Sequence, residues 1–231
     1  MFAPSNVPVI RRVNKRKRRE QRLLILGLSF FALLGLFPYF FMVLTSLKSN
    51  QNFVENYWGF SWHLDLQNYV NAWNQIKDYF ITTFIVVAAV IMGVLFLGLL
   101  SGFLLARFTF FGRKVLFTLV GVLLMVPSIA SLIPLFVLVR NFHMLNTIWV
   151  LIIPLIATNT ILSVILFKNY IEAIPQDFFD CAMVFGADGP QIFRMIAVPL
   201  SFPIIGTVSM LTMISVWNEY FWPLLTITDD K

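Results

Sequence analysis

The chain has 231 residues, 59% hydrophobic and only 12% charged, with a formal net charge of +6 and a mean hydropathy of +0.83. A soluble domain carries about 25% charged residues, so this composition excludes a globule covered by polar surface. The lone cysteine, Cys181, excludes an internal disulfide; His63 and His143 match no metal-ligand spacing; and no G-x-x-x-x-G-K-S/T loop is present, which argues against ATP binding by this chain itself.

The apolar residues fall in long blocks. About 20 mostly apolar residues cross about 30 Å of hydrocarbon, and inside lipid each backbone N–H and C=O must be satisfied within its own segment, so the blocks predict helices. Residues 1–22 are basic, with Arg11, Arg12, Lys15, Arg16, Lys17, Arg18, Arg19 and Arg22 against Glu20. An apolar span follows at once, so the cluster reads as a cytoplasmic anchor touching anionic lipid rather than as a nucleic-acid arm. The first span is predicted over Leu23–Leu47. It exceeds the ~7–15 residues of a signal-peptide core and no small-residue cleavage site follows, which makes it an uncleaved anchor with its N-terminus inside.

Residues 48–78 read as an outer polar loop whose aromatic residues, Trp58, Trp62, Tyr69 and Trp73, suit the membrane interface; His63 reads there as a solvated residue. The second span is predicted over Tyr79–Ala106, followed by an inner basic loop with Arg107, Arg113 and Lys114. The third, Val115–Val139, contains Pro127 and Pro134, which free backbone carbonyls and bend a helix; they fit either a pathway wall or a structural kink. A short outer loop, 140–146, leads to a fourth span, Thr147–Phe167. A long inner loop, 168–199, precedes a fifth, Leu200–Val216. That span ends in Trp217-Asn218-Glu219-Tyr220-Phe221-Trp222-Pro223, a polar-aromatic boundary on the outer side. Positive charge collects on the inner pieces, so the orientation is consistent across all five spans and puts Asp229-Asp230-Lys231 outside. The spans carry no charges except at their boundaries, which fits a neutral solute better than an ion or proton path.

The loop 168–199 is the most informative segment. Pro175 opens a helix and Asp177 sits in its first turn, where the helix dipole favours an acid. At ~100° per residue, Phe178, Phe179, Ala182, Met183 and Phe185 share one broad face, and Asp177, Asp180 and Asp188 project to the other side. Gly186 permits a sharp turn. Asp188-Gly189-Pro190-Gln191 has the form of a capping box opening a second helix, about Gly189–Ala197, that stops before Pro199. A helix lying on lipid usually carries Lys or Arg on its polar face. This one carries aspartates, so a protein partner with a cleft for the phenylalanines explains it better.

Asp180-Cys181-Ala182-x-x-x-Gly186-Ala187, followed by Phe193, Ile196 and Pro199, resembles the EAA loop of ABC-importer permeases. Asp180 stands where that family usually has Glu, Cys181 replaces the first Ala, and Phe185 precedes Gly186 where an acid is common. Trp217-Asn218-Glu219-Tyr220-Phe221-Trp222-Pro223-Leu224 is similar to the outer end of the fifth helix in permeases of the carbohydrate-uptake group, and the N-terminus resembles the maltose-type subunit. The likeness covers about residues 20–231. It implies an all-α, polytopic transmembrane bundle of the type I ABC-importer permease fold, with five of the family's six helices in this chain. Residues 1–78 would be the basic tail, first helix and external loop, and residues 79–231 the transport core with its coupling loop at about 175–199.

The resemblance further implies the membrane subunit of an ATP-driven importer for a sugar or oligosaccharide, not itself an enzyme, in a bacterial or archaeal cytoplasmic membrane. ATP and Mg would sit on a cytoplasmic ATPase dimer, and no cofactor on this chain. A second homologous permease and an extracytoplasmic solute-binding protein would complete the machine. Phe178, Phe179, Asp180, Ala182, Met183, Gly186, Ala187 and Phe193 would form the ATPase-coupling loop. Asn218 and Glu219 would serve the outer gate or the binding-protein contact, or would simply be solvated at a helix end. Two other classes compete. A secondary transporter or channel would show internal repeats or midplane charges, and a membrane scaffold would not require the acidic loop helix.

Overall fold

The computed structural model describes residues 15–60 and 64–228. The basic residues Arg11 and Arg12, the loop residues Trp62 and His63, and the C-terminal Asp229-Asp230-Lys231 lie outside them. The described residues are helical throughout their regular structure and fall into two units, divided at Lys77/Asp78.

In the first unit, α1 (Lys15–Ser46) is apolar on every side from Leu23 onward, and none of its membrane-length window is buried. A helix apolar all round needs an apolar solvent, which lipid supplies. The segment after it is more ordered than a polar loop. Ser49 caps α2 (Asn50–Glu55). The buried Lys48 ammonium donates to the carbonyls of Asn56 (2.8 Å) and Tyr57 (2.9 Å). Phe41 packs against Tyr57 and Trp58, with centroids 5.2 and 4.9 Å apart.

The predicted outer loop 48–78 is therefore corrected: α3 runs Gln67–Arg107, twelve residues longer at its start than the predicted span. Asp65 Oδ1 accepts from the Gln67 N–H at its opening, and no glycine or proline interrupts the polar stretch that follows, so helix continues beyond the apolar block. At 1.5 Å per residue, α3 is about 60 Å long, twice the hydrocarbon thickness.

The second unit is built around α6 (Ile148–Glu172). The α3 backbone approaches α6 closely at two glycines. A Cβ on Gly98 would lie 2.2 Å from Ser163 Oγ, and one on Gly102 would lie 2.6 Å from Phe167 Cβ and 2.9 Å from the Lys168 amide nitrogen. Lipid gives helices no hydrophobic reason to pair, so contact of this kind rests on small residues that let backbones meet. Around it lie Val90, Val94, Phe167 and Ile171, all fully buried. The fourth helix extends five residues past its predicted end, and Lys168 and Glu172 pair one turn apart on that extension.

The predicted third span is two helices, α4 (Arg113–Leu123) and α5 (Ser128–Asn141), bent by 100°. Pro127 stands at the break with extended backbone, as a residue that cannot donate to a helical bond does, while Pro134 is accommodated inside α5. Among the described residues, three helices are long and apolar enough to span a membrane, or up to five elements if each bent pair counts as one.

After α6 come α7 (Asp177–Val184) and α8 (Gly189–Ile192), a π-turn at Phe193–Ala197, α9 (Val198–Leu200), α10 (Phe202–Trp217) and α11 (Phe221–Thr226). The helical run passes through Pro199 instead of stopping before it. The widened π-turn just upstream relieves the crowding that a proline imposes on the carbonyl four residues earlier. A 73° bend at Ser201 then starts α10.

Candidate functional site: the α7–α8 hairpin

The hairpin is shaped by local sequence. α7 ends in a Schellman motif: the Gly186 N–H reaches the Met183 carbonyl and the Ala187 N–H reaches the Ala182 carbonyl, both at 3.0 Å. Gly186 takes φ +82°, a conformation that costs other residues about 1–2 kcal/mol. Two residues on, the capping box is complete: Asp188 accepts from the Gln191 N–H (2.8 Å), and the Gln191 side chain accepts from the Asp188 N–H (3.0 Å). These two devices set the turn between α7 and α8.

Tertiary contacts then divide the predicted phenylalanine face. Phe179 is 3% exposed and Phe178 is 53% exposed. Phe179 lies under the Arg107 guanidinium, whose Cζ is 3.9 Å from the ring centroid. Ala182 and Ala187 pack partly buried on the core, as does Phe193, whose ring lies 5.3 Å from that of the buried Phe103. Met183 and Phe185 are exposed. The single broad face is thus corrected to a buried anchor, Phe179 with Ala182, flanked by an outward Phe178 and Met183. The opposite side of α7 carries a shallow groove lined by Asp177, Asp180, Cys181, Val184 and Phe185. Asp180 is exposed.

Arg107, by sequence one of the inner-loop charges, organises this end of the protein. Its Nη2 donates to the carbonyls of Ile171 and Ile174, each at 2.5 Å, and its Nη1 donates to Gln176 Oε1 at 2.7 Å. The Gln176 amide passes the contact on to Asp180 Oδ1 at 2.9 Å. A guanidinium fits the carbonyls at a helix C-terminus by both charge and fork geometry. Beside it, Glu172 pairs with Lys168 and, at 3.6 Å, with Arg113, which fastens the start of α4 to α6. Nothing in one-dimensional periodicity marks Arg107, because its partners lie more than sixty residues away.

At the opposite end, Asn218 and Glu219 are occupied locally. Asn218 Nδ2 donates to the Ile214 carbonyl (2.7 Å), and Glu219 Oε1 accepts from the Trp222 N–H (3.1 Å), closing the first turn of α11. The buried Trp222 donates its indole N–H to the Val150 carbonyl at 2.8 Å. Val150 precedes Pro154 by four residues, so this is the acceptor that Pro154 cannot serve. Asn146, at φ +58°, joins the same end: its N–H meets the Thr226 carbonyl, and its Oδ1 accepts from the Thr228 N–H.

Between α6 and α10 lies a cleft of about 160 Å³ lined by Asn159, Ser163, Thr212 and Ser215 together with Leu162, Leu166, Val208 and Leu211. Its polar groups are amide and hydroxyl, with no formal charge. Sequence reading left this lining unassigned; the signal available was the run of Asn, Thr and Ser within two otherwise apolar helices.

The sequence profile of a family described as "Binding-protein-dependent transport system inner membrane component" matches residues 95–230, which include α6, the hairpin and α10. The chain belongs to this family. As such an inner-membrane component it is a multi-pass membrane protein. It is 31% identical to a probable ABC transporter permease, YurM, of Bacillus subtilis (strain 168), over 84% of this chain and 65% of that one. It is 27% identical to the diacetylchitobiose uptake system permease NgcG of Streptomyces coelicolor, over 83% of this chain and 64% of that one. It is 30% identical to the arabinooligosaccharides transport system permease AraQ of Bacillus subtilis (strain 168), over 85% and 71%. The chain therefore spans just under two thirds of the length of the first two of these relatives. Its fold matches a chain from the crystal structure of a bacterial ABC transporter that imports the acidic polysaccharide alginate, with a TM-score of 0.78 and 21% identity over 94% of this chain and 77% of that one.

Proposed function

We propose that this inner-membrane component is the permease subunit of an ATP-driven importer for a sugar or oligosaccharide, with the α7–α8 hairpin as the handle on which a cytoplasmic ATPase pulls. The observation that carries the reading is the hairpin itself. It is a short helix with Phe178, Met183, Asp177 and Asp180 exposed, packed through Phe179 and Gln176 on Arg107 at the end of α3 and following the end of α6, in a chain of the binding-protein-dependent family. The N-terminus and the hairpin lie in the cytoplasm, in agreement with the basic residues of 1–22 and of Arg107–Lys114. The Trp222 end faces outward, toward an extracytoplasmic binding protein, and a second homologous permease completes the pathway.

ATP and Mg act on the partner. Closure of the ATPase dimer displaces α7, and the displacement selects between inward-facing and outward-facing arrangements, which requires different hairpin contacts in the two states. The carbohydrate assignment is supported by the solutes named for NgcG and AraQ and by the uncharged lining of the α6–α10 cleft, which suits a hydroxyl-rich solute. Asn218 caps the end of α10 and Glu219 caps the start of α11, and Glu219 contributes to the outer gate by holding Trp222 in place.

The test is co-purification. An ATPase should accompany the wild-type chain, and Phe178→Asp should release it while leaving the chain folded in the membrane. Retention of the ATPase by Phe178→Asp would remove α7 as the docking surface.

A further inference from the structure

We propose that Arg107 is the positioning residue of the hairpin: through Gln176 it ties the outward-facing Asp180 to the ends of α3 and α6, so that a displacement of α7 moves those two spans as one body. The proposal rests on reading α7 as the handle, and it names the route by which force leaves it.

The route is continuous in the structure. Asp180 Oδ1 accepts from Gln176 (2.9 Å), Gln176 Oε1 accepts from Arg107 Nη1 (2.7 Å), and Arg107 Nη2 holds the carbonyls of Ile171 and Ile174 (2.5 Å each). The same guanidinium covers Phe179, the buried anchor of α7, at 3.9 Å. Arg107 is itself the last residue of α3. Five residues before it, Gly102 brings α3 against the Phe167–Lys168 backbone of α6, with no room for a Cβ. The strut therefore begins on an exposed carboxylate and ends where α3 and α6 meet in close contact at Gly102.

The covalent route from the hairpin to α10 is different in kind. It passes a π-turn at Phe193–Ala197 and a 73° bend at Ser201. Such a route absorbs displacement by bending, whereas hydrogen bonds into two helices in close contact transmit it. Lysine is no substitute for Arg107: one ammonium has no planar face to lay on Phe179 and cannot hold two carbonyls and an amide oxygen in the same fork.

Cys181, the chain's single cysteine, is exposed on α7 and provides the probe. A nitroxide attached to Cys181 in the full chain, reconstituted in phosphatidylethanolamine–phosphatidylglycerol nanodiscs, reports how firmly α7 is held. Arg107→Gln should raise its mobility about twofold or more on the nanosecond scale, and Arg107→Lys should recover less than half of the wild-type restraint. Gln176→Leu, which leaves Arg107 and both carbonyls in place, should have a smaller effect in the same direction. It also serves if Arg107→Gln fails to fold.

A second arm uses the complete transporter carrying Cys181→Ser and Ser215→Cys. ATP should change the maleimide labelling rate of that cysteine in the α6–α10 cleft. Arg107→Gln should abolish the change while ATP hydrolysis stays within about twofold of its starting rate, a split that simple loss of stability does not produce. An unchanged nitroxide spectrum in both Arg107→Gln and Gln176→Leu, or a preserved ATP-dependent labelling change in Arg107→Gln, overturns the proposal. A wild-type chain that binds no ATPase overturns instead the importer reading, and with it the transmission role, while the nitroxide arm still shows whether the clasp exists.

Discussion

The two ends of the second unit are built from similar parts and used differently. At each, a long helix gives way to a short one, and the junction carries aromatic and acidic residues. At the Trp222 end the polar groups close on their own neighbourhood: Glu219 caps α11, Asn218 bonds back to α10, and Trp222 fills the acceptor opened by Pro154. At the hairpin end the inward groups are consumed by Arg107, but Phe178, Met183, Asp177 and Asp180 are left facing out. Similar composition therefore means closure at one end and a presented surface at the other. The difference lies in where the side chains point, since Asp180 faces out while still accepting from Gln176.

Substitutions can break or sharpen this contrast. The largest effect should come from Trp222→Ala, which removes a buried aromatic and leaves the Val150 carbonyl without its partner, at about 3–5 kcal/mol. Thermal unfolding in detergent should register it as a clear loss, whereas Tyr220→Ala, an exposed neighbour, should stay within about 0.5 kcal/mol. Next comes the paired comparison on α7. Phe179→Ala should cost about 3 kcal/mol or more and loosen the hairpin toward limited proteolysis. Phe178→Ala should leave stability within about 0.5 kcal/mol yet weaken ATPase retention. If both behave alike, the division of the phenylalanine face is wrong.

Smaller again is Gly186→Ala. Open space surrounds Gly186, so the penalty is backbone strain alone, about 1–2 kcal/mol, and Gly186→Asn should recover part of it because Asn tolerates the left-handed region. A Gly186→Trp chain that transports normally would show that the angle of the hairpin is immaterial to coupling. The smallest effect belongs to Glu219→Ala, loss of a cap worth about 1 kcal/mol, read as fraying of α11 by hydrogen exchange. A loss of uptake far out of proportion to that fraying would restore a direct gate role for the carboxylate.

What the amino-acid sequence determined alone was whatever depends on neighbours in the chain. Apolar blocks of membrane length produce the spans. Asp188 and Gln191 produce a capping box, and Gly186 followed by Ala187 ends α7 in a left-handed turn. The capping box and the left-handed turn need only residues within one or two helical turns. The tertiary structure decided the rest. It set which of two adjacent phenylalanines is buried, because the Arg107 guanidinium lies over Phe179 from a helix seventy residues earlier. It folded the 48–78 segment largely into helix, through caps and a buried Lys48. It broke the third span at Pro127 while passing Pro134 and Pro199 within helical segments, since a proline bends a helix only as far as its surroundings leave the freed groups unserved. It placed the Asn159–Thr212 cleft, which no single helix contains. Periodicity specifies a helix and its faces; which face meets a partner is a property of the packed bundle.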